Sequence, residues 1–227
     1  MSSSSNTTIP VDTTPSLAML RTLGLVAAIS GFLVVLAYQV TLPLIEENKR
    51  LAIEKALFQV VPGAVSQQNF TVAGNKLVPA ADDIVGTSLY AGYDAEGQLK
   101  GVALEAAAPG YQDVIRILYG YDPYCQCIRG IQVLKMAETP GIGDKIAKDA
   151  EFQQNFEALA AQPNSAGTAL ENAIVMVKHG KKTQPWEIDA ISGATISSKA
   201  VARMLNDSGQ QIIPLIQKNL RILESGS

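Results

Sequence analysis

The sequence predicts an α+β protein: a single N-terminal transmembrane helix followed by one domain with an antiparallel sheet and flanking helices. Three observations predict it. No charged residue stands between Arg21 and Glu46. Beyond that stretch, short runs rich in Val, Ile, Leu and Tyr are punctuated by Gly, Pro and Asp turns, the pattern of hairpins. Toward the C-terminus, apolar residues recur at helical spacing.

Composition narrows the function classes. Of 227 residues, 47% are hydrophobic and 17% charged, and the formal net charge is −3. That is too apolar for a disordered chain and lacks the basic face of a nucleic-acid binder, so no nucleic-acid partner is expected. Two cysteines and one histidine exclude a disulfide-stapled scaffold and leave little material for an all-protein zinc site. No metal site is predicted.

Residues 1–16, Ser/Thr-rich with Pro10 and Pro15, read as a disordered tail. Residues 17–45 read as the membrane span. As a helix rising ~1.5 Å per residue, the uncharged stretch reaches about 36 Å, enough for a ~30 Å hydrocarbon core. A cleaved signal peptide fits poorly, because the run is too long and no small-x-small site follows it. A buried helix of a soluble core is the other alternative. Tyr38 is expected at the membrane interface. Arg21 and the α-amino group flank one side, and Lys49, Arg50 and Lys55 the other. Charge counting therefore does not favour a cytoplasmic N-terminus.

Pro43 and the cluster Glu46–Arg50 mark the exit of the span, and residues 46–227 make one α+β domain. Leu51–Val61 reads as a helix stopped by Pro62-Gly63. Two similar hairpins follow. Leu89-Tyr90-Ala91-Gly92-Tyr93-Asp94 turns at Glu96-Gly97 and returns through Leu99-Lys100-Gly101-Val102 toward Pro109-Gly110. Leu118-Tyr119-Gly120-Tyr121-Asp122 turns at Pro123 and returns through Ile128-Arg129-Gly130-Ile131 toward Pro140-Gly141. The echo predicts two hairpins side by side in one antiparallel sheet. A helix is expected over Asp149–Ala161, with Phe152, Phe156 and Leu159 on one face, and a strand over Ile174–Lys178. Helices over Ser197–Leu205 and Ile212–Leu220 are expected to be separated at Asp207-Ser208-Gly209.

The segment Asp189-Ala190-Ile191-Ser192-Gly193-Ala194-Thr195-Ile196-Ser197-Ser198-Lys199 reads as a strand end, a glycine turn and a helix start. Ser192, Thr195, Ser197 and Ser198 are all candidate caps. Free N–H groups at such a start suit an anion, phosphate above all, and Lys199 adds positive charge. A plain capped turn is the alternative.

Ser192-Gly193-Ala194-Thr195 also resembles the flavinylation motif of the FMN-binding domain family. The segment Glu138-Thr139-Pro140-Gly141-Ile142-Gly143 is similar to that family's Glu-Thr-Pro-Gly-x-Gly loop. Within the family the chain resembles the G subunits of Rnf electron-transport complexes, and more distantly the C subunits of sodium-pumping NADH:quinone reductases. The resemblance implies FMN joined through a phosphoester to Thr195, formed from FAD by a dedicated flavin transferase with magnesium. Thr195 is then an attachment point, and no catalytic residue is assigned. Gly193 permits the turn, and small Ala194 leaves room for the transferase. The resemblance also implies that the Glu138–Gly143 loop faces the flavin ring, against the alternative of a Gly/Pro turn with Glu138 as a solvated charge. Ser192, Glu138, Thr139, Pro140 and Gly141 complete the candidate cofactor-binding set. It implies an electron relay among the other membrane subunits of an Rnf-type complex, in the bacterial inner membrane with the soluble domain periplasmic. Rivals are the quinone-reductase subunit and a non-redox anchored interaction module.

Several residues stay open. Tyr111 is either a ring-stacking partner or a core tyrosine, and Trp186 a core anchor or a stacking partner. His179 reads as part of a solvated turn. Cys125 and Cys127 form a free thiol pair, a strained disulfide, or half of a metal or cluster site completed by a partner.

Overall fold

The computed structural model describes residues 16–74, 76–80 and 86–226. The tail expected over 1–16 lies, apart from Ser16, outside them. The chain divides into two compact units, one ending at Arg50 and one running Leu51–Ser227.

Helix α1 spans Ser16–Val60. In the first unit its apolar residues, including Leu23, Ile29, Phe32 and Val34, are exposed. A helix apolar on every face, long enough to cross a bilayer and covered by none of the described residues, belongs in lipid. Thr22 and Thr41 donate their hydroxyls back to the carbonyls of Ala18 at 2.8 Å and Ala37 at 2.9 Å, so neither presents a free donor to that lipid. This is a membrane anchor. Pro43 lies inside α1 rather than at its end, and no break precedes the helix expected at Leu51. A proline costs a helix about 3 kcal/mol. Here Leu44, Glu46, Glu47, Lys49 and Arg50, all good helix formers, resume the helix at once.

In the second unit, Ile53, Ala56, Leu57 and Val60 repeat at helical spacing and are buried, packing with Val61 against Ala103 and Leu118. The sheet beneath them has seven strands, β1 (Ser66–Ala73), β2 (Lys76–Pro79), β3 (Thr87–Tyr93), β4 (Leu99–Pro109), β5 (Val114–Asp122), β6 (Cys127–Lys135) and β7 (Leu159–Ala160). Their order is β2-β1-β3-β4-β5-β6-β7, each pair antiparallel. The two echoing hairpins therefore do lie side by side. The echo itself has a packing cause. Gly92, Gly101, Gly120 and Gly130 recur in both copies and all meet the end of α1. A Cβ on Gly92 or Gly101 would lie 3.1 Å from Val61 Cγ1, one on Gly130 3.3 Å from Val60 Cα, and one on Gly120 would strike the Val60 carbonyl.

The opposite face of the sheet carries the larger core. Val102, Leu104, Ile117 and Tyr119 alternate with Ala103 and Leu118 and pack against helix α4 (Thr195–Lys218). The expected break at Asp207-Ser208-Gly209 does not occur. Val201, Leu205, Gly209 and Ile213 form one buried row, in which Gly209 leaves room for Leu170, 3.2 Å from where its Cβ would be. Ser208 Oγ shares a 2.7 Å hydrogen bond with Tyr119 OH. Helix α5 (Leu220–Ser225) ends the fold.

The helix expected over Asp149–Ala161 is much shorter. Helices α2 (Lys145–Lys148) and α3 (Ala150–Gln154) precede β7. Asn155 stops the helix. Its Nδ2 donates to Phe152 O at 3.0 Å, and its Oδ1 accepts from Asp189 N at 2.9 Å. Phe152, Phe156 and Leu159 are nonetheless all buried, as their spacing required. The expected strand at Ile174–Lys178 appears as β8 (Val175–Val177), parallel to β9 (Glu187–Asp189).

Candidate functional site

Strand β9 leads directly into the Ser192–Thr195 turn. Gly193 adopts φ +84°, with nothing within 4 Å of where a Cβ would stand. Glycine is required there for its backbone conformation, not for space. The cap position of α4 is Ala194, and none of the four candidate hydroxyls caps the helix. Ser198 Oγ instead accepts from Ile191 N at 3.1 Å and donates to Ala194 O at 3.0 Å, pinning the turn from inside. The N–H groups of Thr195, Ile196 and Ser197 thus begin α4 with no partner among the described residues, a standing preference for an anion. Ala194 is buried in the core, so its small side chain fits the interior rather than clearing surface space. Thr195 is exposed, and Lys199 lies one turn on along the same helical face.

The second motif wraps against this turn. Glu138 is only 6% exposed. Its Oε1 accepts from the backbone N of Tyr111 at 2.9 Å and of Gln112 at 3.2 Å, and its Oε2 from the Ser197 hydroxyl. It is not a solvated charge: three donors from two other segments converge on one carboxylate. Thr139 O accepts from Ile142 N at 3.1 Å and Gly143 N at 3.0 Å, and Thr139 Oγ1 accepts from Gln112 Nε2 at 3.1 Å. Asp144 Oδ1 accepts from Gly141 N at 2.6 Å. Lys148, 2.8 Å from Asp144 Oδ2, holds that carboxyl below the usual range.

Between the two motifs lies a cavity of about 500 Å³, lined by Glu138, Thr139, Gly143, Gly193, Ala194 and Thr195, with Tyr111, Ile142 and Ile196. The last three are 65%, 50% and 53% exposed. Large apolar side chains left open around a concave surface are the mark of a ligand site. Tyr111 is thus no core residue. Ile142 and Ile196 escaped the sequence reading, although each occupies an apolar position in an otherwise small and polar motif. Pro140 and Gly141 are exposed and stand off the cavity. Ser192 lines a separate cleft of about 160 Å³ with His179 and Asp189. His179 Nδ1 lies 3.1 Å from Ala190 O and 3.7 Å from Asp189 Oδ2, so it is fixed to β9 rather than merely solvated. Trp186 is half-buried beside Ala160 and Pro185, away from the cavity.

The class of protein is set by this domain. The family described as FMN-binding domain matches residues 110–209, which contain every residue lining the cavity. The fold agrees with two solved structures. Shewanella oneidensis NqrC superposes with a TM-score of 0.60 at 17% identity, covering 79% of this chain and 99% of that one. The C subunit of the Na(+)-translocating NADH-quinone reductase from Parabacteroides distasonis superposes with a TM-score of 0.57 at 20% identity, covering 78% and 94%. Among curated proteins, the G subunit of the ion-translocating oxidoreductase complex of Escherichia coli K12 is 32% identical over 191 residues, covering 83% of this chain and 86% of that protein. Its counterpart in Methanosarcina acetivorans, which carries the same description, is 30% identical over 190 residues, covering 82% and 89%. The chain belongs to the family of G subunits of ion-translocating oxidoreductase complexes.

Proposed function

We propose that this chain is the membrane-anchored electron-relay subunit of an Rnf-type complex, a ferredoxin:NAD oxidoreductase coupled to Na+ or H+ translocation, with FMN esterified through its phosphate to Thr195 Oγ1. The observation that carries the reading is the position of Thr195: exposed, on the first turn of α4, and lining the cavity. Bound FMN would supply one- and two-electron transfer. The protein's own part is placement. The open N–H groups of Thr195, Ile196 and Ser197 favour the phosphate charge by about 0.3–1 kcal/mol. Tyr111, Ile142 and Ile196 offer apolar surface to the ring, and the Thr139 segment offers polar groups to its edge. A covalent tether keeps the flavin from being lost by dilution.

The Cys125–Cys127 disulfide supports a domain on the periplasmic side of the inner membrane, since disulfides persist outside the reducing cytosol. Partners in this reading are the other membrane subunits, the lipid bilayer around α1, and a flavin transferase for maturation. The names of the curated relatives favour the G subunit over the quinone-reductase C subunit.

The test is co-expression with the transferase, followed by denaturing gel fluorescence and intact mass. Wild type should give a fluorescent band with one FMN added, and Thr195→Ala none. A covalent flavin surviving in Thr195→Ala rejects the attachment site. A wild type bare after exposure to active transferase returns the chain to an anchored interaction module.

A further inference from the structure

At the tip of the β5–β6 hairpin, Cys125 and Cys127 are joined as a disulfide. The two sulfurs are not equivalent, because Cys125 is exposed and Cys127 is buried. Between them Gln126 has φ +54°, the one positive φ among the described non-glycine residues. An L side chain disfavours that region, and outliers of this kind gather at reactive sites.

The tip is anchored independently of the sulfur bridge. Asp122 Oδ1 accepts from Tyr124 N at 2.9 Å and Cys125 N at 3.3 Å. Gln126 O accepts from Ala161 N at 3.0 Å, and Cys127 pairs with Ala160 across β6 and β7. These bonds keep the two cysteines within reach of each other when the bridge opens, the condition for closing it again.

From this geometry we propose that Cys125–Cys127 is a reversible thiol–disulfide exchange site, with a dithiol as its co-substrate and Cys125 as the sulfur attacked. One thiolate of the dithiol bonds to Cys125 Sγ. The Cys125–Cys127 bond breaks, and Cys127 leaves as a thiolate that takes up a proton. The second thiol of the same reductant then loses its proton and displaces Cys125, which is protonated in turn. The dithiol ends as a disulfide, two electrons and two protons poorer, and the protein gains both as two thiols. The site is independent of the flavin reading, since neither cysteine lines the flavin cavity.

The experiment uses the full-length protein in detergent without denaturant. Millimolar dithiothreitol followed by iodoacetamide should add two carbamidomethyl groups together, and replacing dithiothreitol with an excess of its oxidised, cyclic disulfide form before alkylation should restore the unlabelled mass, the two electrons and two protons returning to that disulfide. Labelling that requires denaturant, or a bridge that fails to re-form, overturns the proposal. Glutathione, a monothiol, reports the direction of attack when the mixed disulfide is trapped by acid and mapped. The Cys125 adduct should exceed the Cys127 adduct at least about tenfold, as access dictates. Equal or reversed adducts overturn Cys125 as the attacked sulfur.

Discussion

Glu138 and Ser197, far apart in sequence, are joined by a buried hydrogen bond in which the Ser197 hydroxyl donates to Glu138 Oε2. One carboxylate thereby ties the Glu-Thr-Pro-Gly loop to the first turn of the helix that carries Thr195. Two substitutions separate its structural and electrostatic parts. Glu138→Ala strands the Tyr111 and Gln112 N–H groups and should cost about 2–3 kcal/mol with loss of flavin loading. Glu138→Gln can keep all three bonds, its amide nitrogen donating to Ser197 Oγ, and should load normally. Losing one negative charge beside the cavity should raise the flavin potential by roughly tens of millivolts. Redox titration of the loaded variant checks this, and an unchanged potential removes Glu138 from the flavin's surroundings.

The two motif glycines fail differently when replaced by alanine. At Gly143 the new Cβ would lie 2.7 Å from Glu138 Oε2 and 2.9 Å from Ser197 Oγ, both buried. Gly143→Ala should therefore break the Glu138–Ser197 link and cost about 1–3 kcal/mol. At Gly193 there is space but φ is +84°, so Gly193→Ala should cost about 1–2 kcal/mol through backbone strain alone. Urea melts measure both. Replacing Ser197 with alanine in the Gly143→Ala background should recover part of the loss there and none in Gly193→Ala.

Much of this was readable in the chain because the physics was local. The echo of Gly92 and Gly101 in Gly120 and Gly130 announced paired hairpins, and the same glycines clear the floor on which α1 ends. Gly193 before an exposed Thr195 announced a turn into a helix. What escaped depended on distant partners. Asp207-Ser208-Gly209 looks like a break until Leu170 and Tyr119 are seen to claim that stretch of α4. Asn155 ends α3 because Asp189 bonds to it. Glu138 kept the alternative of a solvated charge until two remote segments closed over it, and Ile142 and Ile196 acquired meaning only when the cavity placed them together.

Truncation should locate the true start of the domain. A chain beginning at Leu51 keeps Ile53, Leu57 and Val60 on the sheet and should be soluble, fold cooperatively and accept flavin. One beginning at Pro62 loses those three buried side chains, worth about 4.5–9 kcal/mol together at 1.5–3 kcal/mol each. That is comparable to the whole stability of a domain. Thermal melts followed by circular dichroism should show a cooperative transition for the first and none for the second. A cooperative transition for the shorter chain would deny the end of α1 a part in the core.

Alkaline pH should unfold the domain through its buried phenols. Tyr121 is 1% exposed, and burial pushes its hydroxyl up to about 12, against the smaller opposing effect of the Gln217 amide 3.1 Å away. Tyr119, fully buried and bonded to Ser208, is raised as well, again chiefly by burial. Unfolded tyrosines release their protons near pH 10, whereas these two keep theirs in the folded state. Above pH 10 the unfolded state therefore binds fewer protons, and stability must fall as pH rises. The contribution is intact below pH 10; that of Tyr121 drains away between 10 and about 12, and the loss from Tyr119 runs in the same direction, at up to about 1.4 kcal/mol per pH unit for each group. Urea melts at successive pH values, read beside tyrosinate absorbance, should show ionisation and unfolding coinciding. Tyr121→Phe should flatten the slope by close to one proton, and a slope unchanged in that variant would mean that Tyr121 already titrates in the folded protein.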